Sequence, residues 1–199
     1  MQLYLISHNS FFKGEELVVS ELLDRYDFTF HLRKPGASND EYESFLNKIP
    51  RALHAKIMIH EAYELIDKFE LKGLHFSTMD RNFRSNFPAN ICSTSAHSLN
   101  ELKGIERQYD YQFLSPIFPS ISKPGYIGKL KPVDIKNYLK TKRTNKTIAL
   151  GGINENNINI LKLMGFDGVA VLGSVWGNKP ENVTEIVNRF EKIWHSISL

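Results

Sequence analysis

The chain has 199 residues, of which 42% are hydrophobic and 24% are charged, and its formal net charge is +3. This composition is that of an ordinary globular protein and excludes collagen-like and disordered chains. The length favours a single domain, which we expect over residues 1–199. The mildly basic balance, with a pI near 8.8, suits small anionic substrates and does not require nucleic acid.

A single cysteine, Cys92, makes an internal disulfide impossible, and this favours a reducing compartment. No apolar run approaches the ~18 residues of a membrane span. The first ten residues lack the basic start of a signal peptide. We therefore expect a cytoplasmic protein without a membrane partner, and the composition leaves a homo-oligomer open. Cys92 lies in a β-type run, so we expect it in the core.

Short β-type runs alternate with amphipathic helical stretches along the chain. In chain order, the predicted strands are Leu3–Ile6, Phe28–Leu32, Lys56–Ile59, Gly73–Phe76, Ile91–Ser95, Tyr111–Leu114, Thr147–Leu150 and Gly168–Leu172. The predicted helices are Glu15–Leu23, Asn39–Ile49, Ala62–Phe69, Leu99–Glu106, Val133–Leu139, Asn156–Leu163 and Val183–Trp194. Local signals support three helix ends: capping residues from Ser38 to Glu41, Pro132 at a start and Gly165 at a stop.

This alternation predicts an α/β fold with a parallel sheet and helices outside it. About eight β-then-α units favour a closed (β/α)8 TIM barrel. An open flavodoxin-like sheet needs only about five strands, so it would leave some units unexplained. The chain is at the short end for a barrel, which requires brief outer helices.

Polar residues or glycine follow nearly every predicted strand, at the end where barrel enzymes carry their active sites. Gly151 and Gly152 follow the seventh strand, and Gly173 and Ser174 follow the eighth. Glycines allow backbone N–H groups to approach an anion closely, and these two loops bind phosphate in many barrels. The alternative interpretation is that both pairs are ordinary turns.

Charged residues near three other strand ends predict further parts of a site. Glu61 and Asp80 follow neighbouring strands, where two carboxylates suit Mg²⁺ if phosphates supply the other ligands; either could instead favour a helix start. Arg33 follows the second strand, and its guanidinium group can form bidentate hydrogen bonds with a diphosphate. Lys34 is expected to be solvated. A shaped binding loop is predicted around Ser120, Ser122 and Lys123.

The histidines offer an alternative, a His/Glu/Asp metal centre of the kind found in barrel hydrolases. Such centres usually need an H-x-H pair on one strand, and this sequence has none, so we expect no catalytic transition metal. His75 lies inside a strand and is expected in the core, whereas His54 and His195 are expected at the surface. The histidines near predicted strand ends are His8, His31, His60 and His97.

From about Leu3 to Trp176 the chain resembles the superfamily of thiamine phosphate synthases and TenI-like thiazole tautomerases. The matching stretches are Leu3-Tyr4-Leu5, His31-Leu32-Arg33, Ser95 to Leu99, Pro116 to Gly125, Ala149 to Asn154 and Gly168 to Val171. The most specific match is the PIFP-x-x-x-KPG loop followed by the GGIN turn.

The resemblance implies a (β/α)8 barrel and a Mg²⁺-dependent transferase of thiamine biosynthesis. Such an enzyme joins hydroxymethylpyrimidine diphosphate to thiazole phosphate and releases pyrophosphate. The implied metal ligands are Glu61 and Asp80, and the implied pyrophosphate contacts are Arg33, Ser95 and Lys123. The implied substrate-binding residues are His31, His60, Ser120, Ser122, Gly151, Gly152, Gly173 and Ser174.

Three loops depart from the family pattern. The family's Gln-x-Arg-x-Lys stretch is replaced by residues 31–35, so its lysine is displaced or lost. Its Asn-Asp-Arg stretch is replaced by His60-Glu61-Ala62, and its Gly-Gln pair by Ser77-Thr78. His31 resembles the tautomerase branch, whose sixth-loop histidine is absent here. Two alternatives therefore stay open: a tautomerase with proton transfer at His31 or His60, and a non-catalytic paralogue that binds a thiamine-pathway phosphate.

Overall fold

Parallel strands alternate with helices and close into a barrel. The computed structural model describes residues 1–105, 107–119, 130–177, 180 and 182–198. Within these residues the strands are β1 Gln2–Ile6, β2 Thr29–Leu32, β3 Ile57–Ile59, β4 Gly73–Phe76, β5 Cys92–Ala96, β6 Tyr111–Leu114, β7 Lys146–Leu150 and β8 Gly168–Val171. The α-helices are α1 Glu15–Arg25, α2 Asn39–Leu46, α3 Leu65–Phe69, α4 Leu99–Ile105, α5 Pro132–Leu139, α6 Ile158–Met164, α7 Gly173–Trp176 and α8 Val183–Ser198.

Each strand pairs in parallel with the next one, and β1 also pairs with β8. Tyr4, for example, lies opposite Thr29 on one side and Ala170 on the other. The predicted (β/α)8 barrel is therefore confirmed. Because helices cover the outside and side chains fill the inside, the strands are buried on both faces, which explains why even polar strand residues such as Thr29 and Ser93 are buried.

Alternation along the strands separates two apolar clusters. The larger cluster lies between the strands and the helices, whereas a smaller one fills the barrel. The inner cluster consists of Tyr4, Ile6, Met58, Tyr111, Phe113, Ile148 and Ala170. The rings of His31 and His75 lie beside Phe113, with centroids 4.9 and 5.0 Å from it. Both histidines therefore point into the barrel.

The predicted helix signals are confirmed where they can be checked. Ser38 and Glu41 form a capping box at the start of α2, with Ser38 N donating to Glu41 Oε2 at 2.8 Å. Pro132 begins α5, and Gly165, with φ of 96°, ends α6. A helix was predicted from Ala62, but α3 begins only at Leu65. The positive φ of Ala62, 54°, explains this, because that conformation cannot continue a right-handed helix.

Other boundaries differ from the sequence prediction. α2 ends at Leu46 rather than Ile49, and a 3₁₀ helix over Arg51–Lys56 follows Pro50. A second 3₁₀ helix, Arg81–Asn86, lies between β4 and β5 and was not predicted. Among the described helices, none has the length and hydropathy that a membrane crossing needs.

Two single-residue predictions have opposite outcomes. Cys92 is 1% exposed, so its predicted core position is confirmed. The surface prediction for His54 is wrong, because the residue is 3% exposed. His54 Nδ1 lies 3.0 Å from the Phe69 carbonyl oxygen, and Nε2 lies 3.1 Å from that of Leu46. The ring lies between carbonyl groups at the ends of two helices, and its N–H donates to one of them, which gives the buried ring a hydrogen-bond partner.

Candidate active site

A cavity of about 680 Å³ opens at the carboxyl ends of the strands. Its apolar part includes Ile6, Phe113, Leu150 and Ala170, which are inward-facing strand residues. Polar residues from several strand ends surround this floor. Both the position and the size are those of a small-molecule site in a barrel of this type.

The cavity brings together most of the predicted site residues that the structure describes. Those in its lining are Arg33, His60, Ser95, Gly151, Gly152, Gly173 and Ser174. His31 is completely buried beneath the lining. Glu61 and Asp80 are not among the lining residues, although each directly follows a lining residue in the sequence, His60 and Met79 respectively. The remaining predicted residues, Ser120, Ser122 and Lys123, lie outside the described residues.

Arg33 is positioned through its own backbone by Ser7, a fully buried residue at the end of β1. Ser7 Oγ donates to the Arg33 carbonyl oxygen at 2.7 Å and accepts from Arg33 N at 2.9 Å. The guanidinium group donates to Asn9 Oδ1 at 3.0 Å. Since a guanidinium carries five N–H donors, further donors are left for an anion in the cavity.

Lys34 was predicted to be solvated, and this prediction is wrong. Its side chain is 1% exposed, and Nζ lies 2.6 and 2.5 Å from the two carboxylate oxygens of Glu15, which is itself fully buried. Nζ also donates to the His8 carbonyl oxygen at 2.9 Å. Burial lowers the pKa of Lys34, whereas burial raises the pKa of Glu15 to about 7 against the opposing effect of Lys34. Lys34 therefore joins β2 to α1 and is not available to a ligand.

The two predicted metal ligands are each held by a neighbouring hydroxyl group. Tyr42 donates to Glu61 Oε2, and Ser77 donates to Asp80 Oδ2. Burial, followed by the negative charges of Asp80 and Glu61, raises the pKa of Tyr63. Both carboxylates thus act on the same side chain. Two hard oxygen donors from adjacent loops fit the preference of Mg²⁺, with phosphate and water as further ligands.

Arg81 fixes the loop that carries Asp80. Its Nε donates to Thr94 Oγ1 at 3.0 Å, and its guanidinium group forms an ion pair with Glu101 at 2.8 Å. A further hydrogen bond reaches the Ser95 carbonyl oxygen. These contacts tie the loop after β4 to β5, so Asp80 and Ser95 are held on neighbouring parts of the rim. Sequence reasoning did not single out Arg81, because its partners are distant in the chain.

The first glycine pair, Gly151 and Gly152, is required by the backbone conformation and packing of the turn after β7. Gly151 and Gly152 have φ of 101° and 64°, the left-handed region that favours glycine. The start of the loop after β6 packs on this turn, with Phe118 N donating to the Gly151 carbonyl oxygen at 3.2 Å. A Cβ atom at Gly152 would lie 2.5 Å from the Pro119 carbonyl oxygen. The turn interpretation therefore accounts for both glycines, whether or not an anion binds there.

The second pair is open to the cavity. A Cβ atom at Gly173 would meet no atom within 4 Å, and its φ lies outside the left-handed region. Ser174 Oγ is buried and has no hydrogen-bond partner among the residues that the structure describes. An unpaired buried hydroxyl is costly, so this group is suited to a polar ligand. The support for an anion is therefore stronger here than at Gly151 and Gly152.

Three histidines, His31, His60 and His75, lie together at the floor of the cavity. His31 Nδ1 lies 2.9 Å from His60 Nε2, and the rings of His60 and His75 stack with centroids 4.1 Å apart. His60 and His75 line the cavity and are 8% and 2% exposed. Burial lowers the pKa of all three imidazoles, to about 3 for His75, so they are neutral near pH 7. His75 is buried as expected, yet it also belongs to the cavity lining, which the sequence interpretation missed.

Comparison with known proteins gives the family. A family model described as "Thiamine monophosphate synthase" matches residues 3–175. The chain belongs to this family. It is 28% identical to the thiamine-phosphate synthase of Lysinibacillus sphaericus (strain C3-41) over 205 residues, which cover 97% of this chain and 95% of the relative. It is 25% identical to that of Clostridium tetani (strain Massachusetts / E88), with coverage of 89% and 88%.

A solved structure agrees with the family assignment. The crystal structure of thiamine phosphate pyrophosphorylase from Bacteroides thetaiotaomicron has a TM-score of 0.87 and 29% sequence identity, and covers 100% of this chain and 98% of that one. The corresponding protein of Pyrococcus furiosus, 20% identical with a TM-score of 0.73 and coverage of 96% of each chain, supports the fold. The resemblance to the thiamine monophosphate synthase family is thus confirmed across almost the whole barrel.

Proposed function

We propose that this family member is a thiamine phosphate synthase, which joins hydroxymethylpyrimidine diphosphate to thiazole phosphate and releases pyrophosphate in a Mg²⁺-dependent reaction. The observation that carries the proposal is the pairing of two anion-suited regions in one cavity. Arg33 and Ser95 lie in the lining after β2 and on β5, and Gly173 and Ser174 follow β8. Two phosphorylated substrates need two such regions around a shared apolar floor.

The chain's own residues account for charge stabilisation without a protein nucleophile. As the bond from the pyrimidine methylene to pyrophosphate breaks, negative charge grows on the leaving group, and the Arg33 guanidinium can donate to it. The electron-rich pyrimidine carries the positive charge while the thiazole nitrogen forms the new bond. When bound, Mg²⁺ would neutralise part of the pyrophosphate charge, held by Glu61 and Asp80. Lys123 remains a proposed pyrophosphate contact from the resemblance.

The test is formation of thiamine phosphate from the two substrates with and without Mg²⁺. We expect product only with Mg²⁺ and a loss of at least about 100-fold in kcat/KM for Asp80→Asn, because the leaving group loses its counter-ion. The substitution keeps an oxygen that accepts from Ser77, so the loop should be retained. Asp67→Asn, at an exposed residue of α3, is the matched control and should react normally. Mg²⁺-dependent product at the wild-type rate in Asp80→Asn would remove Asp80 from the site.

A second candidate function is thiazole phosphate tautomerisation. The observation that favours it is a neutral imidazole, His60, in the cavity lining with its Nε2 near His31. A neutral histidine can accept a proton from a bound substrate and return it elsewhere. The same assay distinguishes the functions, because a tautomerase converts thiazole isomers without Mg²⁺ and without the pyrimidine diphosphate. A binding protein without catalytic activity would form neither product.

A further inference from the structure

We infer that His31, His60 and His75 form a binding site for one divalent transition-metal ion, with Zn²⁺ as the favoured ion. One ligand nitrogen from each imidazole can be chosen so that all lie within 4.8 Å of one another. The inferred site uses different ligands from the proposed Mg²⁺ site, since the carboxylates Glu61 and Asp80 lie outside this group. It also departs from the sequence expectation, which looked for two histidines on one strand.

The topology explains how three separate strands supply the ligands. His31 lies on β2, His60 directly follows β3 and His75 lies on β4, and these strands are neighbours in the barrel. Each histidine has the inward parity of its strand. The interior of such a barrel is normally filled by branched apolar side chains. Three polar rings in this layer would be costly to bury without polar partners, so the contacts of their nitrogens determine what the group can bind.

Neighbouring hydroxyl groups orient two of the three rings. The Tyr111 hydroxyl lies 2.7 Å from His31 Nε2, and Ser93 Oγ lies 2.8 Å from His75 Nδ1. If these two nitrogens carry the ring protons, the hydroxyl oxygens of Tyr111 and Ser93 accept hydrogen bonds from them. His31 Nδ1 and His75 Nε2 then keep a free lone pair. Metal-binding histidines are usually held in this way, with the second nitrogen bonded to a fixed partner.

The remaining contacts indicate where an ion would lie. His31 Nδ1 and His60 Nε2 lie 2.9 Å apart, so without a metal one of them carries an N–H that donates a hydrogen bond to the other. His75 Nε2 lies 3.1 Å from Ser95 Oγ, a hydroxyl in the cavity lining. An ion bound by the three rings would replace the contact between His31 and His60. The Ser95 hydroxyl, or water, is available on the cavity side.

The chemistry of the ligands selects the class of ion. Three neutral imidazoles without a carboxylate suit Zn²⁺, Co²⁺ or Ni²⁺, whereas Mg²⁺ prefers oxygen ligands. Because His60 and His75 line the 680 Å³ cavity, an ion has an entry path. Three protein ligands and one position open to a cavity are typical of catalytic zinc sites. Water or an anionic oxygen of a bound ligand would fill the open position.

The experiment is a Co²⁺ titration of protein that has been stripped with a chelator, followed by visible absorption and by displacement with Zn²⁺. We expect one equivalent of Co²⁺ to bind with a saturable visible band, which Zn²⁺ removes. His31→Gln and His60→Asn each introduce the residue common in the resembled family, so both variants should fold. Each should weaken Zn²⁺ binding by more than about 100-fold. Tyr111→Phe, which keeps the ring and removes the orienting hydroxyl, should cost about 10- to 100-fold.

The matched control is His97→Gln, since His97 also lines the cavity but lies outside the three-histidine group. It should bind both ions as the wild type does. Absence of a saturable one-equivalent band in the wild type would overturn the inference, as would unchanged affinity in both His31→Gln and His60→Asn. The three rings would then form a hydrogen-bonded network only. No substrate is used, so this result is separate from the outcome of the synthase assay.

Discussion

Lys34 Nζ and Glu15 Oε2 are 2.5 Å apart, and the two side chains are 1% and 0% exposed. The pair joins the loop after β2 to the first turn of α1, next to Arg33 of the candidate active site. A buried charge is tolerated here because its partner is buried with it.

We expect Glu15→Gln to lower the free energy of unfolding by about 3–5 kcal/mol, because Lys34 is left buried without a counter-ion. The double variant Glu15→Leu, Lys34→Met replaces both charges by apolar groups and should recover most of this loss. Urea denaturation of the wild type, Glu15→Leu, Lys34→Met and the double variant closes a thermodynamic cycle and gives the coupling between the two sites. Strictly additive losses would show that the ion pair contributes little.

Gly173 is the clean position at which to test phosphate binding. Gly173→Ala adds a methyl group that faces open space, so the free energy of unfolding should change by less than about 1 kcal/mol. The methyl group would occupy part of the proposed phosphate position, and we expect thiazole phosphate to bind about tenfold more weakly by calorimetry. The unphosphorylated thiazole alcohol should bind both proteins equally.

Gly152→Ala is the contrasting variant. Its Cβ would clash with the Pro119 carbonyl oxygen, and its left-handed backbone disfavours any side chain. We expect a loss of about 1–3 kcal/mol of stability, whether or not phosphate binds. For the Gly173→Ala test, equal weakening of thiazole phosphate and thiazole alcohol binding would show that the phosphate does not contact the turn at Gly173.

Tyr42 is expected to set the position of Glu61. Tyr42→Phe removes the hydroxyl that donates to Glu61 Oε2, so the Mg²⁺ concentration for half-maximal synthase activity should rise by about tenfold. The rate at saturating Mg²⁺ should remain closer to that of the wild type. Tyr63→Phe is the control, because the Tyr63 hydroxyl donates to the His75 carbonyl oxygen at 3.3 Å rather than to the carboxylate. Equal Mg²⁺ requirements in all three proteins would contradict a positioning role for Tyr42.

Gln112 offers a stabilising substitution. The residue is fully buried on β6, and neither atom of its side-chain amide has a hydrogen-bond partner among the described residues. Gln112→Met keeps the length and removes the unpaired polar atoms, so the free energy of unfolding should rise by about 1–2 kcal/mol. Thr147→Val, on the paired strand, removes one hydrogen-bond acceptor of Arg143, which keeps its ion pair with Asp167, and should have the opposite sign. A destabilised Gln112→Met would show that the amide is satisfied in solution.

The order and type of the elements were predictable because hydrophobic periodicity and capping residues are local. Pro132 and Gly165 act on the backbone next to them, and both signals are confirmed in the structure. Ala62 shows where local reasoning ends. Its positive φ, 54°, is imposed by the loop around it, and no residue type in the sequence indicates this.

The rim of the barrel was predictable in position but only in part in content. Arg33 follows directly from reading the strand ends, and Ser95 follows from the family resemblance. Lys34 and His54 could not be assigned, because Glu15 lies 19 residues from Lys34, and Leu46 and Phe69 lie 8 and 15 residues from His54. These partners become neighbours only after folding. His75 was missed as a cavity residue for a related reason: single histidines on β2, just after β3 and on β4 leave no repeated motif in the sequence.

The pairing of β1 with β8 has a consequence for how the chain acquires its structure. Gln2 lies opposite Gly168, and Gln2 N donates to the Asp167 carbonyl oxygen at 3.0 Å. During synthesis, β1 is therefore made long before β8, its second neighbour in the sheet. Until then its backbone is an unpaired edge that can associate with other chains. The pairing of β1 with β8 joins residues that are far apart in the sequence, so we expect it to form in a late and slow step of folding.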